Sequence, residues 1–220
     1  MSFKFFEKDG ELSISRGALP HWYQPGVTYF VTFRTEDSVP GDLVRAWHAE
    51  RQAWLRWHRI DPSSGDWNIE VERSPELERE YHERFTRRFM EYLDRSLGEC
   101  VLRDPRMSQI VADSLRSFDG TRYHLGDFVV MPNHVHVLVC LIGASQIEAV
   151  CSSRKHFTAS KINRLLARRG RFWQEESFDH LARSAERFRR FQQYIAENPA
   201  KAGLPAGSFL LHSLPHQNIH

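Results

Sequence analysis

Two imidazoles stand two residues apart in the stretch Met131-Pro132-Asn133-His134-Val135-His136-Val137-Leu138-Val139. Side chains alternate across a strand, so His134 and His136 project to one side while Val135, Val137, Val139 and Leu141 line the other. Two neutral imidazoles on one face are a pair of nitrogen ligands for a divalent cation. A histidine on a strand also serves as a hydrogen-bonded structural residue, so the pair needs a second motif. Pro132 lacks a backbone N–H and biases its predecessor to extended geometry, which predicts an interruption before the histidine strand.

The second motif lies some sixty residues downstream. Phe188, Phe191 and Ile195 recur at i, i+3 and i+7, a helical stripe facing a core, with Tyr194 on its edge. At about 100° per residue Asn198 follows Tyr194 on the same side, and Arg190 and Arg187 flank it one and two turns earlier. A phenol, an amide and two guanidiniums thus share one helix face. Pro199 disfavours helical geometry at Asn198, so the helix is expected to stop there, with Gly203 available for the next turn. By themselves, Asn198-Pro199 also reads as helix punctuation and Tyr194 as a half-buried aromatic.

The net charge of +2 conceals an asymmetry. Between Cys151 and Arg190 there are eleven Lys and Arg (154, 155, 161, 164, 168, 169, 171, 183, 187, 189, 190) against four acids (175, 176, 179, 186), a local charge of +7 that leaves −5 for the remainder. Such a cluster beside a candidate metal site suits a polyanion, because phosphate contacts supply sequence-independent affinity for nucleic acid. Arg154, Lys155, Lys161, Arg164 and Arg168, with Arg187 and Arg190, are the candidate phosphate contacts. Lys161, Arg164 and Arg168 recur at i, i+3 and i+7 opposite Ile162, Leu165 and Leu166; the competing reading is a solvated helix face. Phe172 and Trp173 are aromatics for stacking unpaired bases, or core.

At 220 residues, 41% hydrophobic and 26% charged, the chain is globular, and one core decorated by inserted helices is favoured over two domains. No apolar run reaches the roughly 18 residues that span a bilayer, and the N-terminus has no signal-peptide core, so a cytoplasmic protein without membrane partners is expected. Cys100, Cys140 and Cys151 have neither CxxC spacing nor a matching His pair, which excludes a disulfide framework or zinc ribbon. Cys140 is expected to pack as a small hydrophobe.

Periodicity supplies the elements. Residues 27–35 read as a strand, and 42–60 as a helix with Leu43, Ala46, Trp47, Trp54 and Trp57 on a broad apolar side. A loop at 61–66 precedes Ser74-Pro75-Glu76, an N-cap serine followed by proline and an acid, which opens a charged helix to about Leu97. A helix over 105–118, strands over 123–131 and 134–142, and helices over 146–169 and 182–198 complete the order. This succession is α+β, an antiparallel sheet covered by helices on one face. The tail, with His212, His216 and His220, is expected to be peripheral and able to bind metal fortuitously.

Together the motifs resemble one family, the REP-associated tyrosine transposases within the HUH single-tyrosine transposases and nickases. Leu19-Pro20-His21-Trp22 with Thr28 to Arg34 is similar to the family's opening strand, and Met131 to Val139 to its His-hydrophobic-His motif. Ser153-Arg154-Lys155, Thr158-Ala159 and Ile162-Asn163 match a helix signature, followed by Phe172 to Glu175 and Phe178-Asp179. Tyr194-Ile195, Asn198-Pro199 and Ala202-Gly203-Leu204 match the tyrosine motif. Residues 60–97 carry no match. The resemblance implies a ferredoxin-like fold in one domain over residues 1–205, with an inserted helical segment at 60–100 and a peripheral tail at 206–220. It implies His134 and His136 as metal ligands, Asn198 as the third, and Tyr194 as nucleophile. The activity implied is a metal-dependent endonuclease and strand transferase acting on single-stranded or hairpin (REP-like) DNA through a covalent 5′-phosphotyrosine. Mg²⁺ or Mn²⁺ suits that role, although imidazole also binds Zn²⁺, Co²⁺ or Ni²⁺ well. Two alternatives remain open: a domesticated protein that binds hairpins without cutting them, and a phosphoesterase that uses water. A monomer and a homodimer are both compatible.

Overall fold

The computed structural model describes residues 3–6, 13–15, 21–64, 67–175 and 177–214. Leu19-Pro20 of the opening motif, Gly65-Asp66 of the expected loop, and His216 and His220 of the tail lie outside them.

Five strands form one antiparallel sheet: β3 (Thr28–Arg34), β4 (Tyr123–Val130), β5 (His134–Leu141), β6 (Phe178–Leu181) and β7 (Leu210–His212), in the order β6-β3-β5-β4-β7. Counting β3, β4, β5 and β6 as first to fourth, the order is fourth-first-third-second, that of a ferredoxin-like α+β sheet. A separate hairpin pairs β1 (Ser13–Ser15) with β2 (His21–Tyr23). The histidine strand β5 is central, its neighbours holding it from both sides. In its register with β3, Thr32 lies opposite His136 and Arg34 opposite His134.

One face of the sheet packs as expected. Val135, Val137, Val139 and Leu141 join Tyr29, Val31 and Phe33 in a core closed by α5 (Pro105–Arg116) and α6 (Ile147–Leu165). The other face is covered too, which corrects the expectation of helices on one side. There Phe30, Leu138 and Cys140 pack with Leu93 of α4 (Arg88–Asp94) and with Phe188 and Ile195 of α7 (Ala185–Lys201). The histidines occupy this second, helix-covered face. Its apolar residues are interleaved from β3, β4 and β5.

Between β3 and β4 the chain runs as α1 (Gly41–Trp57), α2 (Trp67–Glu72), α3 (Pro75–Tyr81), a π-helical segment His82–Arg87 and then α4, the last four within the stretch 60–100 expected as an insertion. The Ser74 hydroxyl accepts from Leu77 N at 3.4 Å, the cap that the Ser-Pro-Glu signal requires. Trp54, Leu55 and Ile60 form a satellite core with Trp67 and Val71, while Trp57, expected on the apolar side of α1, is 83% exposed.

Two terminations depart from expectation. Pro199 does not stop α7; the helix continues through it to Lys201, because within the last turn Ala202 N still donates to Asn198 O (3.0 Å) and Leu204 N to Pro199 O (2.9 Å), and Gly203 turns the chain at φ 64°. The tail is not peripheral over 210–212: β7 pairs with β4, and His212 stacks on Phe128 at 4.9 Å. Beside the β4 bulge, Gly126 lies so close to β5 that an added Cβ would meet Leu138 Cβ at 2.8 Å. Next to it, buried Asp127 accepts from Gln192 Nε2 of α7 (3.0 Å) and from Leu214 N (2.7 Å), pinning helix and tail to the sheet.

Candidate active site

His134 and His136 are both fully buried, their rings 4.6 Å apart. Each is oriented by a partner on its Nδ1. His134 Nδ1 lies 2.7 Å from Asn133 Oδ1, which only accepts, so this nitrogen carries the proton and Nε2 bears the lone pair. His136 Nδ1 lies 2.7 Å from Thr32 Oγ1, a hydroxyl able to accept in the same way. Both Nε2 atoms are buried without a hydrogen-bond partner among the described residues. Asp94, the last residue of α4, completes the group: a carboxylate oxygen and the two imidazoles offer ligand atoms all within 4.8 Å of one another. The two imidazole Nε2 atoms and the carboxylate face one another, the Nε2 atoms with no hydrogen-bond partner among the described residues, and burial makes such an arrangement costly unless a cation sits there. The residues therefore fit a divalent metal.

The electrostatics agree. Burial pushes His134 down to about 3 and holds His136 well below the ordinary imidazole value, so both are neutral at pH 7 as ligation requires. The 3.8 Å approach of His134 Nε2 to Asp94 Oδ1 is accordingly not an ion pair. Burial raises Asp94 to about 6, partly offset by a hydrogen bond from Asn198.

Asn198 reaches the site as well. Its Nδ2 donates to Asp94 Oδ1 at 2.9 Å and so orients that carboxylate, while its own Oδ1 is buried and unpaired on the same side. Asp94 escaped sequence reading because the segment around it carries no motif and lies forty residues from the histidines.

Tyr194 stands edge-on to His136 and to Phe30, with ring centroids 5.1 and 5.9 Å away. Its hydroxyl is buried beside the Asn198 amide without a well-formed hydrogen bond. Burial, then the Asp94 charge, hold the phenol well above its ordinary value, so it is protonated at rest. The cations expected to flank it are elsewhere. Arg187 meets His82 (3.2 Å) and Glu78 (3.7 Å), and Arg190 pairs with Glu186 (2.6 Å). Lys201 is the cation over the Tyr194 ring, at 5.9 Å. It lies at i+7 on the same helix face, which α7 reaches by continuing past Pro199, and it pairs with Glu197 at 2.8 Å.

The basic segment divides. Arg154 is buried, donates to Ser114 O (3.0 Å) and Ser117 Oγ (2.7 Å), and lies over Phe118 at 3.8 Å, so this guanidinium ties α6 to α5 and is not open to phosphate. Lys155 donates to the carbonyls of Gln174 and Glu175. Lys161 and Arg164 are exposed, but α6 packs on the sheet face opposite the histidines. Arg168 pairs with Glu99 at 2.6 Å. Phe172 and Trp173 are core: Trp173 Nε1 donates to Thr158 Oγ1 at 2.8 Å and its ring packs edge-on to Phe33.

Acid should destabilise the metal-free protein. His82, His134, His136 and His180 all have lowered pKa values in the fold, chiefly through burial, so below about 6.5 the unfolded chain binds protons that the folded one does not. Their stabilisation is lost as pH falls. Asp94, raised to about 6, works the other way between the ordinary carboxylate value and 6, one group against these histidines and His212, which burial lowers likewise. Melting temperature in chelator should fall from pH 7 to pH 5; a flat or rising profile would contradict the buried neutral imidazoles.

Among the described residues no helix is long and apolar enough to cross a membrane. No protein-family model and no curated protein matches the chain. Among solved structures, the chain is similar to a REP-associated tyrosine transposase bound to a REP hairpin, at 15% identity over 84% of this chain and 73% of that one, with a TM-score of 0.43.

Proposed function

We propose that this protein is a metal-dependent single-strand DNA endonuclease and strand transferase that works through a covalent phosphotyrosine on Tyr194. The observation that carries the reading is the convergence of Asp94, His134 and His136 beside a phenol whose hydroxyl is buried and unpaired. A divalent cation held by these three residues, Mg²⁺ or Mn²⁺ in the family resembled, would polarise the scissile phosphate as a Lewis acid. The chain's own residues do the rest. Asn133 fixes the His134 tautomer, Thr32 orients His136, Asn198 aims Asp94, and the central strand with α4 and α7 holds these groups and the phenol in one frame. Tyr194 Oη forms a bond to phosphorus as the bond to the 3′ oxygen breaks, and the phenol proton ends on that 3′ oxygen. The 5′ phosphate stays on tyrosine as a diester, so a different 3′-hydroxyl reverses the reaction and joins new ends. No external energy source is needed. Lys201, beside the Tyr194 ring and paired with Glu197, would exchange that carboxylate for a phosphate of the strand.

Hairpin DNA with unpaired flanks is the substrate that the motif resemblance nominates. Labelled hairpin oligonucleotides mixed with protein and Mn²⁺ should yield an adduct that survives denaturing electrophoresis and carries label from the downstream fragment. Free 5′-phosphate product without an adduct would favour hydrolysis by water instead. Single-stranded flanks should be cut and blunt duplexes left intact, with binding weakening steeply as salt rises. Equal cleavage of both forms would contradict the single-strand reading.

A further inference from the structure

One pocket is not used by the chemistry above. It lies on the histidine face of the sheet, where helices α1, α3 and α4 with the π-helical segment lean against β3 and β6, and measures ≈ 110 Å³. Its apolar walls are aromatic: Trp47, Tyr81, Phe85, Phe89 and Phe178. Two polar atoms of lining residues, Arg51 Nε and Ser177 Oγ, are buried without hydrogen-bond partners among the described residues, a donor and a donor–acceptor left unsatisfied at a cost. Flat aromatic walls with a few unmet hydrogen-bonding groups suit a planar heterocycle better than an aliphatic chain or a bare phosphate. Arg34 already stacks a planar cation over the Phe89 ring, at 5.4 Å.

The pocket adjoins the reaction centre. Thr32, whose hydroxyl bonds His136 Nδ1 at 2.7 Å, also lines it, and Arg34, another lining residue, is the register partner of His134. One strand spacing, about 4.8 Å, separates β3 from β5, so the base of a nucleotide next to a phosphate at the histidines is within reach. We infer that this pocket captures one unpaired nucleobase flanking the scissile phosphate, and that the inserted helical segment exists in part to build it. The inference rests on the strand-cleavage reading for its substrate, but is tested without cleavage.

The test compares binding of deca-thymidylate with a ten-unit abasic strand of equal charge, in chelator and at fixed salt, by tryptophan fluorescence and anisotropy. Base stacking on aromatics predicts about tenfold tighter binding of the thymidylate. Ser177→Leu, which fills the pocket from a position with no hydrogen bond to lose, should reduce that ratio to within twofold while leaving abasic affinity unchanged. Phe89→Leu, which removes one wall, should reduce it part of the way, and melting curves verify that both variants fold. Equal binding of the two strands by wild type overturns the inference, as does a tenfold ratio retained by both folded variants. Base-dependent binding without cleavage of any hairpin would uphold the pocket and defeat the strand-cleavage reading; cleavage without base dependence would do the reverse.

Discussion

Tyr194→Phe is expected to abolish cleavage and the covalent adduct while leaving the fold and DNA affinity nearly unchanged. The substitution removes one oxygen and keeps the ring that packs edge-on to Phe30 and His136. That oxygen is buried without a hydrogen-bond partner, so its loss deprives no donor or acceptor, and the stability change should stay within about 1 kcal/mol of zero. Activity has no such tolerance, since no other atom of the phenylalanine ring attacks phosphorus. Thermal melting, hairpin binding by anisotropy and the denaturing-gel adduct assay read the three quantities separately. A variant that still cuts would make water or another residue the nucleophile, and Tyr194 a packing residue. If neither protein cuts any hairpin tried, the binding-only alternative gains.

Asp94→Asn should be nearly as damaging through a different quantity. The change preserves shape but removes the charge that balances a divalent cation, so the Mn²⁺ concentration needed for half-saturation should rise more than a hundredfold, with activity falling accordingly. Asn198→Ala, which removes the amide that aims Asp94, should raise it about 10- to 100-fold, the range for groups one step behind a ligand. His134→Ala and His136→Ala should abolish metal binding as well. They carry a packing cost of their own, roughly 2 kcal/mol or more, because each ring is fully buried and His136 stacks on Phe30 at 5.4 Å. Calorimetric Mn²⁺ titration of all four variants settles the roles. An unchanged metal curve for Asp94→Asn would remove it from the ligand set, and an unchanged curve for Asn198→Ala with a lowered melting temperature would make that residue purely structural. Wild-type cleavage that persists in excess chelator would end the metal reading altogether.

What could be read from the sequence is what short-range periodicity governs. The period of two along 134–141 put both histidines on one face and the valines on the other, and the structure has them so, because strand geometry leaves no alternative. The period of 3.6 in α7 put Phe188 and Ile195 in a core with Tyr194 and Asn198 on one flank, and Ser74-Pro75 marked a helix start correctly. In the same way the α+β succession of elements followed from local pattern.

Tertiary structure alone decided the rest. Asp94 joins the histidines because α4 packs on their face, a contact between segments forty residues apart that leaves no local trace. Lys201, rather than Arg187 or Arg190, neighbours Tyr194 because hydrogen bonding in its last turn carries α7 past Pro199, while the arginines find acids and a histidine nearer at hand. Arg154 turns inward because Ser114 and Ser117 of the neighbouring segment offer acceptors that its own helix cannot. Charge counted along the chain could not show that α6 and the histidines lie on opposite faces of the sheet. Local pattern determines which way a side chain points from its own element; only packing determines what it points at.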